Sequence, residues 1–190
     1  ALGRQSKIQI ISRLCRIYID VMRSLPLISV LFFGQLLIPL FLPVDLEINM
    51  VIRTVVAFAC FAASYIAEDI RGGLQAIPRT QKEAGAVLGL DQFQIFSLVT
   101  LPQALKTALP GLTNQAIGLL QNTSLMAILG LVELLGISRS ILANPNFIDK
   151  YLEVYIWLAA VYWFLCTTIA LLARNLEHQL DPLHSLKIQT

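Results

Sequence analysis

Two groups of residues have types and spacings that could do chemistry. Gln121-Asn122-Thr123-Ser124 interrupts an apolar stretch, between Ile117-Gly118-Leu119-Leu120 and Leu125-Met126-Ala127-Ile128-Leu129. Amides and hydroxyls donate and accept hydrogen bonds without a fixed charge. They can line a polar path, or bond one helix to another at about 0.6 to 2 kcal/mol each. The second group is Thr80-Gln81-Lys82-Glu83, which has capping-box spacing. The threonine hydroxyl would satisfy a free backbone N–H of a first helical turn, and the glutamate would reach back to the cap. The helix so opened carries Ala84, Gly85 and Ala86, and Gly89 stops it at Leu88. Asp91 and Gln94 repeat the box, with Phe93, Phe96 and Val99 as apolar anchors before Pro102 ends the second helix. Small residues beside Glu83 let a partner approach closely, so this segment is either an interaction surface or a loop packed on its own bundle. No catalytic or metal-binding residue is assigned. The chain lacks a Gly-x-x-x-x-Gly-Lys-Ser/Thr loop and a catalytic dyad. Cys15, Cys60 and Cys166 lie far apart among apolar residues and read as small hydrophobes, and His178 and His184 read as solvated.

The elements that hold these groups follow from composition. Of 190 residues, 56% are hydrophobic and only 14% charged, with mean hydropathy +0.70. Soluble domains carry about 25% charged residues, so the bilayer is the expected solvent, and disorder is excluded. Four uncharged runs approach the length of about 20 residues that a spanning helix needs: 25–43, 54–67, 107–132 and 154–173. The second is short and extends outward through Met50, Val51 and Ile52 if Arg53 snorkels. Four crossings place both ends on one face. Arg4, Lys7, Arg13, Arg16, Arg23, Arg71, Arg79, Lys82, Lys106, Arg174 and Lys187 share it, eleven of fourteen basic residues. The positive-inside rule makes that face cytoplasmic, with the Asp45/Glu47 turn and the Asn144-Pro145-Asn146 loop outside.

The chain reads as one transmembrane domain, 1–190. An amphipathic helix at 8–24 carries Gln9, Arg13, Arg16, Asp20 and Arg23 in one stripe, with Arg16 and Asp20 placed to pair. It would lie along the cytoplasmic interface or contact another subunit, and Pro26 turns the chain into the first run. A cytoplasmic loop at 72–106 and a cytoplasmic tail at 174–190 complete the plan. Gly72-Gly73 would end the second span, and Pro110-Gly111 would bend or break the third run. Ala59, Ala63 and Ala67, four apart, suit a close helix-packing face. Glu68, Asp69 and Arg71 form a charge cluster, local or gating. Tyr151, Tyr155, Trp157 and Trp163 suit interfacial or bundle packing.

The loop resembles a known pattern. Glu83-Ala84-Gly85, then Gly89, then Val99 and Leu101-Pro102, is similar to the EAA loop of ABC importer permeases. Ser64-Tyr65-Ile66-Ala67-Glu68, the Arg71 to Pro78 stretch, Leu101 to Leu105, Tyr18 to Phe33 and Asn122 to Leu125 resemble the polar amino acid uptake permeases, over about 17–177. The Leu37 to Pro43 stretch and Gly73-Leu74-Gln75-Ala76-Ile77-Pro78 look most like a permease of the general L-amino acid importers. Gly85 stands where relatives usually have a second alanine, and Gln121 where they usually have lysine.

The resemblance implies an all-α polytopic bundle of the type I ABC importer permease kind. About four spans would be present here, with one further span expected ahead of Ala1. It implies a bacterial inner-membrane protein, both ends of this chain cytoplasmic, that couples to ABC ATPase subunits through Thr80, Glu83, Ala84, Gly85, Gly89, Leu101 and Pro102. Other implied partners are a second permease, the same or a sister chain, and an extracytoplasmic amino acid-binding protein; no nucleic acid is implied. This chain would need no cofactor, since ATP and Mg belong to the ATPase. Gln121, Asn122, Thr123 and Ser124 would line the substrate path. A passive channel would share the polar cluster without needing a docking helix, and a membrane sensor or scaffold would bind a partner without moving solute.

Overall fold

The computed structural model describes residues 1–6, 8–41, 43 and 48–180, and among them every regular element is a helix. A 3-10 turn at Leu2–Gln5 leads into α1 (Gln9–Ser24), α2 (Leu27–Phe41), α3 (Met50–Ala76), α4 (Arg79–Val87), α5 (Gln92–Gln94), α6 (Leu101–Asn122), α7 (Leu134–Leu142) and α8 (Tyr151–Leu180). Lys7, the Asp45/Glu47 turn, His184 and Lys187 lie outside the described residues. Two helices, α3 and α8, are each long and apolar enough to cross a bilayer. Two bent pairs, α1 with α2 and residues 92–129 with α7, bring the candidate spans to four if each pair is one span. The helix α8 continues through Leu180, so residues 174–180 of the expected tail are helical.

The chain forms two compact units. One comprises Ala1–Val21, Ala63–Gln115 and Leu172–Thr190. Its apolar centre is Leu74, Ile77 and Ala104, with Ile70 and Phe96 packed against them. Here the structure corrects the reading of Gly72-Gly73, because α3 runs through both glycines to Ala76. A Cβ on Gly73 would stand 2.3 Å from the Ala104 carbonyl oxygen and 3.0 Å from Ala108 Cβ. The glycine is there for a close crossing with α6, and a helix broken by tertiary demand would lose that contact. Gly111 repeats the device, since its Cβ would sit 3.2 Å from Asp69 Cγ. Pro110 lies inside an unbroken α6.

The helix α1 forms as its periodicity demands. Its apolar row of Ile10, Leu14, Ile17 and Val21 is exposed, and Ser12 and Ile19 are buried. Arg16 donates to the Ser12 hydroxyl at 3.0 Å, while Asp20 faces Arg4 at 3.6 Å. The expected Arg16–Asp20 pairing gives way to these contacts. Arg4 also donates to Glu68 at 2.9 Å, and Arg71 joins the same carboxylate. The charge cluster therefore ties the segment before α1 to α3.

The second unit comprises Met22–Ala62 and Ala116–Leu171. There α2 and α3 cross so closely that a Cβ on Gly34 would lie 2.7 Å from Ala57 Cβ. Val30, Leu31, Ala57, Phe61 and Ala62 are buried around this crossing. The close contact of α3 in this unit is made by Ala57, while Ala59 is exposed; in the other unit Ala63 is exposed and Ala67 half-buried. Volume at the crossing selects Ala57, one helical row away, because Gly34 faces it. Thr54 is fully buried and donates to the Met50 carbonyl at 2.9 Å. Gln35 donates to the same carbonyl at 2.8 Å. Arg53 donates to the Gln35 carbonyl at 3.2 Å instead of only reaching outward.

Candidate functional site: the loop between two spans and the broken helix

The loop begins with a helix start that the sequence misplaced. The N-cap of α4 is Pro78, at φ −58 and ψ 146, with no side-chain cap bond. Its carbonyl accepts the Gln81 N–H at 3.2 Å. Proline pre-sets this geometry, so the first turn closes two residues ahead of Thr80. Thr80 then lies inside the helix, and the Thr80–Glu83 capping box does not form. Both side chains are exposed. The C-terminal end matches expectation. Gly89 adopts φ +79, Leu90 N–H bonds to Gly85 O at 3.2 Å and Gly89 N–H to Ala86 O at 3.0 Å. That pair of bonds is a Schellman motif, which satisfies carbonyls a helix end otherwise leaves open.

The Asp91 box does form: Gln94 N–H donates to Asp91 at 2.8 Å, and Asp91 N–H to the Gln94 side chain at 3.0 Å. The chain then winds as a π-helix over Ile95–Thr100 and continues into α6. Pro102 was expected to end this helix and does not. A proline ring clashes with the carbonyl four residues back in an α-helix, and the widened π turn just ahead of it relieves that clash.

Gly85 is buried, and a Cβ there would meet Ile95 Cγ1 at 3.0 Å. The small residue therefore serves the loop's own packing of α4 on residues 95–100. Phe93, expected as an anchor, is 77% exposed; Ile95 takes that place. Val87 at 87% and Leu88 at 80% are exposed beside it in the sequence of turns. Glu83, Ala84 and Gly89 are exposed, Leu101 is half-buried and Pro102 exposed. The loop thus offers three large apolar side chains, Val87, Leu88 and Phe93, as an exposed surface. Their signal was present, since apolar residues flank the one glycine where two short helices must meet.

The polar quartet sits where α6 gives way to a 3-10 helix over Thr123–Leu129. The Thr123 hydroxyl donates to Leu120 O at 2.6 Å and the Ser124 hydroxyl to Gln121 O at 2.8 Å. Such back-bonding competes with the backbone ladder and favours tightening or bending at this point. Gln121 is exposed and approaches the Cys166 Sγ at 3.9 Å. The 3-10 segment ends at Gly130, φ +81. Glu133 then caps α7, accepting the N–H groups of Leu135 and Gly136, each at 2.8 Å. Tyr162 of α8 brings its hydroxyl 3.4 Å from Glu133 Oε2. Neither Glu133 nor Tyr162 was singled out from sequence. The glutamate's signal was its place between Gly130 and the next apolar helix; the tyrosine carried none. A separate open cavity of about 690 Å³ lies between α7 and α8, lined by Ile137, Ser138, Phe147, Trp157 and their neighbours.

Long apolar helices, close glycine crossings and a small self-packed helical loop are the features of a multi-pass membrane protein. The profile of the family described as binding-protein-dependent transport system inner membrane component matches residues 3–182, and the chain belongs to that family. It is 38% identical over 181 residues to the inner membrane amino-acid ABC transporter permease protein YhdY of Escherichia coli, covering 95% of this chain and 49% of that protein. It is 40% identical over 185 residues to the glutamate/glutamine/aspartate/asparagine transport system permease protein BztC of Rhodobacter capsulatus, covering 97% of this chain and 43% of the relative. The chain thus spans about half the length of these two curated relatives. A solved structure described as an amino acid ABC transporter with histidines matches at TM-score 0.81 and 30% identity, over 94% of this chain and 80% of that one.

Proposed function

We propose that the chain is the membrane-spanning permease subunit of an ATP-driven importer of polar amino acids. It pairs with a second permease, identical or sister, and receives solute from an extracytoplasmic binding protein. It docks separate ATPase subunits, which hold the ATP and Mg, through loop 72–106. The observation that carries this reading is similarity along nearly the whole chain to amino-acid ABC transporter permeases.

The loop suits the coupling role because local hydrogen bonds close its helix ends at Gly89 and Asp91 while Val87, Leu88 and Phe93 stay exposed. A loop packed in this way moves as a rigid body when the ATPases close, and carries the spans between inward- and outward-open states. Taking a two-state population from 1:99 to 99:1 requires about 5.5 kcal/mol of differential binding, which ATP supplies elsewhere in the complex. Eight of the twelve described basic residues fall in the unit that contains the loop, which supports a cytoplasmic placement of loop and chain ends. The solute passes by Gln121, Asn122, Thr123 and Ser124.

Coexpression with an ATPase, a second permease and a binding protein of an amino acid importer, then reconstitution in liposomes, tests this. ATP-dependent uptake of labelled glutamate, glutamine, aspartate or asparagine is expected. Single cysteines at Lys82 and at Asn146, with the three native cysteines replaced, should label from opposite faces. Uptake that persists without the ATPase would point to a passive channel. An assembled complex that binds the ATPase but moves no solute would make the chain a scaffold.

A further inference from the structure

The hydroxyls of Thr123 and Ser124 are already spent on their own helix. Each donates to a backbone carbonyl, at 2.6 and 2.8 Å, so neither has a proton to offer a solute without unpicking the helix end. The break keeps the amide donors of Gln121 and Asn122, and α8 adds a further donor, the Tyr162 phenol, which faces Glu133. Its bond to Glu133 Oε2 is 3.4 Å long, well beyond the 2.7–2.8 Å usual for a hydroxyl donor. A proton held that loosely is cheap to redirect. The carboxylate it points at is fixed: Glu133 accepts two backbone N–H groups at 2.8 Å as the cap of α7, and the positive end of that helix offsets its charge. Glu133 therefore cannot follow the phenol if the phenol turns.

We propose that Tyr162 is a specificity-determining contact at the helix break, donating its phenolic proton to an acceptor on the solute, and that Glu133 is its positioning residue. The acceptor is a carboxylate or carbonyl oxygen of a small polar solute, as the phenol is a neutral donor. On solute arrival the phenol exchanges the long bond to Glu133 for a shorter one to the solute, while the α7 cap stays closed. This rests on the permease reading for there being a solute at all.

The test measures initial uptake rate against amino acid concentration in the reconstituted complex, for wild type, Tyr162→Phe, Glu133→Gln and the double variant. Tyr162→Phe leaves both cap bonds intact. It should raise KM about fivefold, the loss of one ordinary hydrogen bond, with maximal rate unchanged. Glu133→Gln should raise KM in the same direction, and the double variant should show a KM no higher than the larger single effect, because both changes remove one contact. A purely structural role predicts otherwise: less assembled complex and a lower maximal rate, with KM unchanged. Unchanged KM in Tyr162→Phe, or additive KM effects in the double variant, overturns the inference and leaves the permease reading standing. Should Glu133→Gln fail to assemble, Tyr162→Phe alone decides. A wild-type complex without ATP-driven uptake overturns the permease reading and this inference with it.

Discussion

The loop at 72–106 and the broken helix at 121–133 both interrupt helical structure, and they satisfy the interruption by opposite means. In the loop, Pro78, Gly89 and the Asp91–Gln94 box close the helix ends within the backbone or with short polar side chains. The large apolar side chains Val87, Leu88 and Phe93 are left over and point away. At the break, the side chains themselves do the closing: Thr123, Ser124 and Glu133 all bond to backbone groups. The first arrangement frees a surface for something else to cover. The second consumes its hydroxyls and the Glu133 carboxylate locally, so solute recognition there falls to the amides of Gln121 and Asn122 and to side chains of a neighbouring helix.

The largest effect should follow from Gly85→Leu, whose side chain has no room beside Ile95. Overpacking of this kind costs about 3 kcal/mol, so amide protection across 79–100 should fall in hydrogen exchange while 121–142 keeps its own. Equal loss in both regions would mean that they are one cooperative unit. Asp91→Ala removes the capping box and should cost about 1 kcal/mol, read as faster exchange at the Gln94 amide. Thr123→Val should cost about 0.6 kcal/mol, since one local bond is lost at a helix end that Ser124 still tightens; thermal unfolding of the purified complex resolves it. Thr80→Ala should be the mildest, within about 0.5 kcal/mol. A larger loss there would restore the cap that the structure lacks.

The helices themselves were legible. Uncharged runs and the four-three polar spacing of α1 depend only on local sequence, and local sequence decides them. What failed were residues whose meaning lies in a neighbour. Gly73 reads as a stop until Ala104 is seen against it. Thr80 reads as a cap until Pro78 is seen to close the turn first. Gly85 reads as a docking face until Ile95 covers it. The Asp91 box was legible because no residue ahead of it competes. At the break, the polar quartet announced itself, but the use of its hydroxyls did not, and Tyr162 lies 29 residues beyond the glutamate it meets.

The central claim is that the exposed apolar tip of the loop, and not the buried Gly85, engages the ATPase. The direct measurement is copurification of the ATPase, with hydrolysis stimulated by loaded binding protein, for wild type and for a complex carrying Leu88→Glu and Phe93→Ser. Both residues are exposed, so the variant should keep wild-type exchange protection across 79–100. With that protection intact, the ATPase should be lost from the complex or its hydrolysis should no longer respond to loaded binding protein. Full retention of binding and stimulated hydrolysis in the variant would contradict the claim.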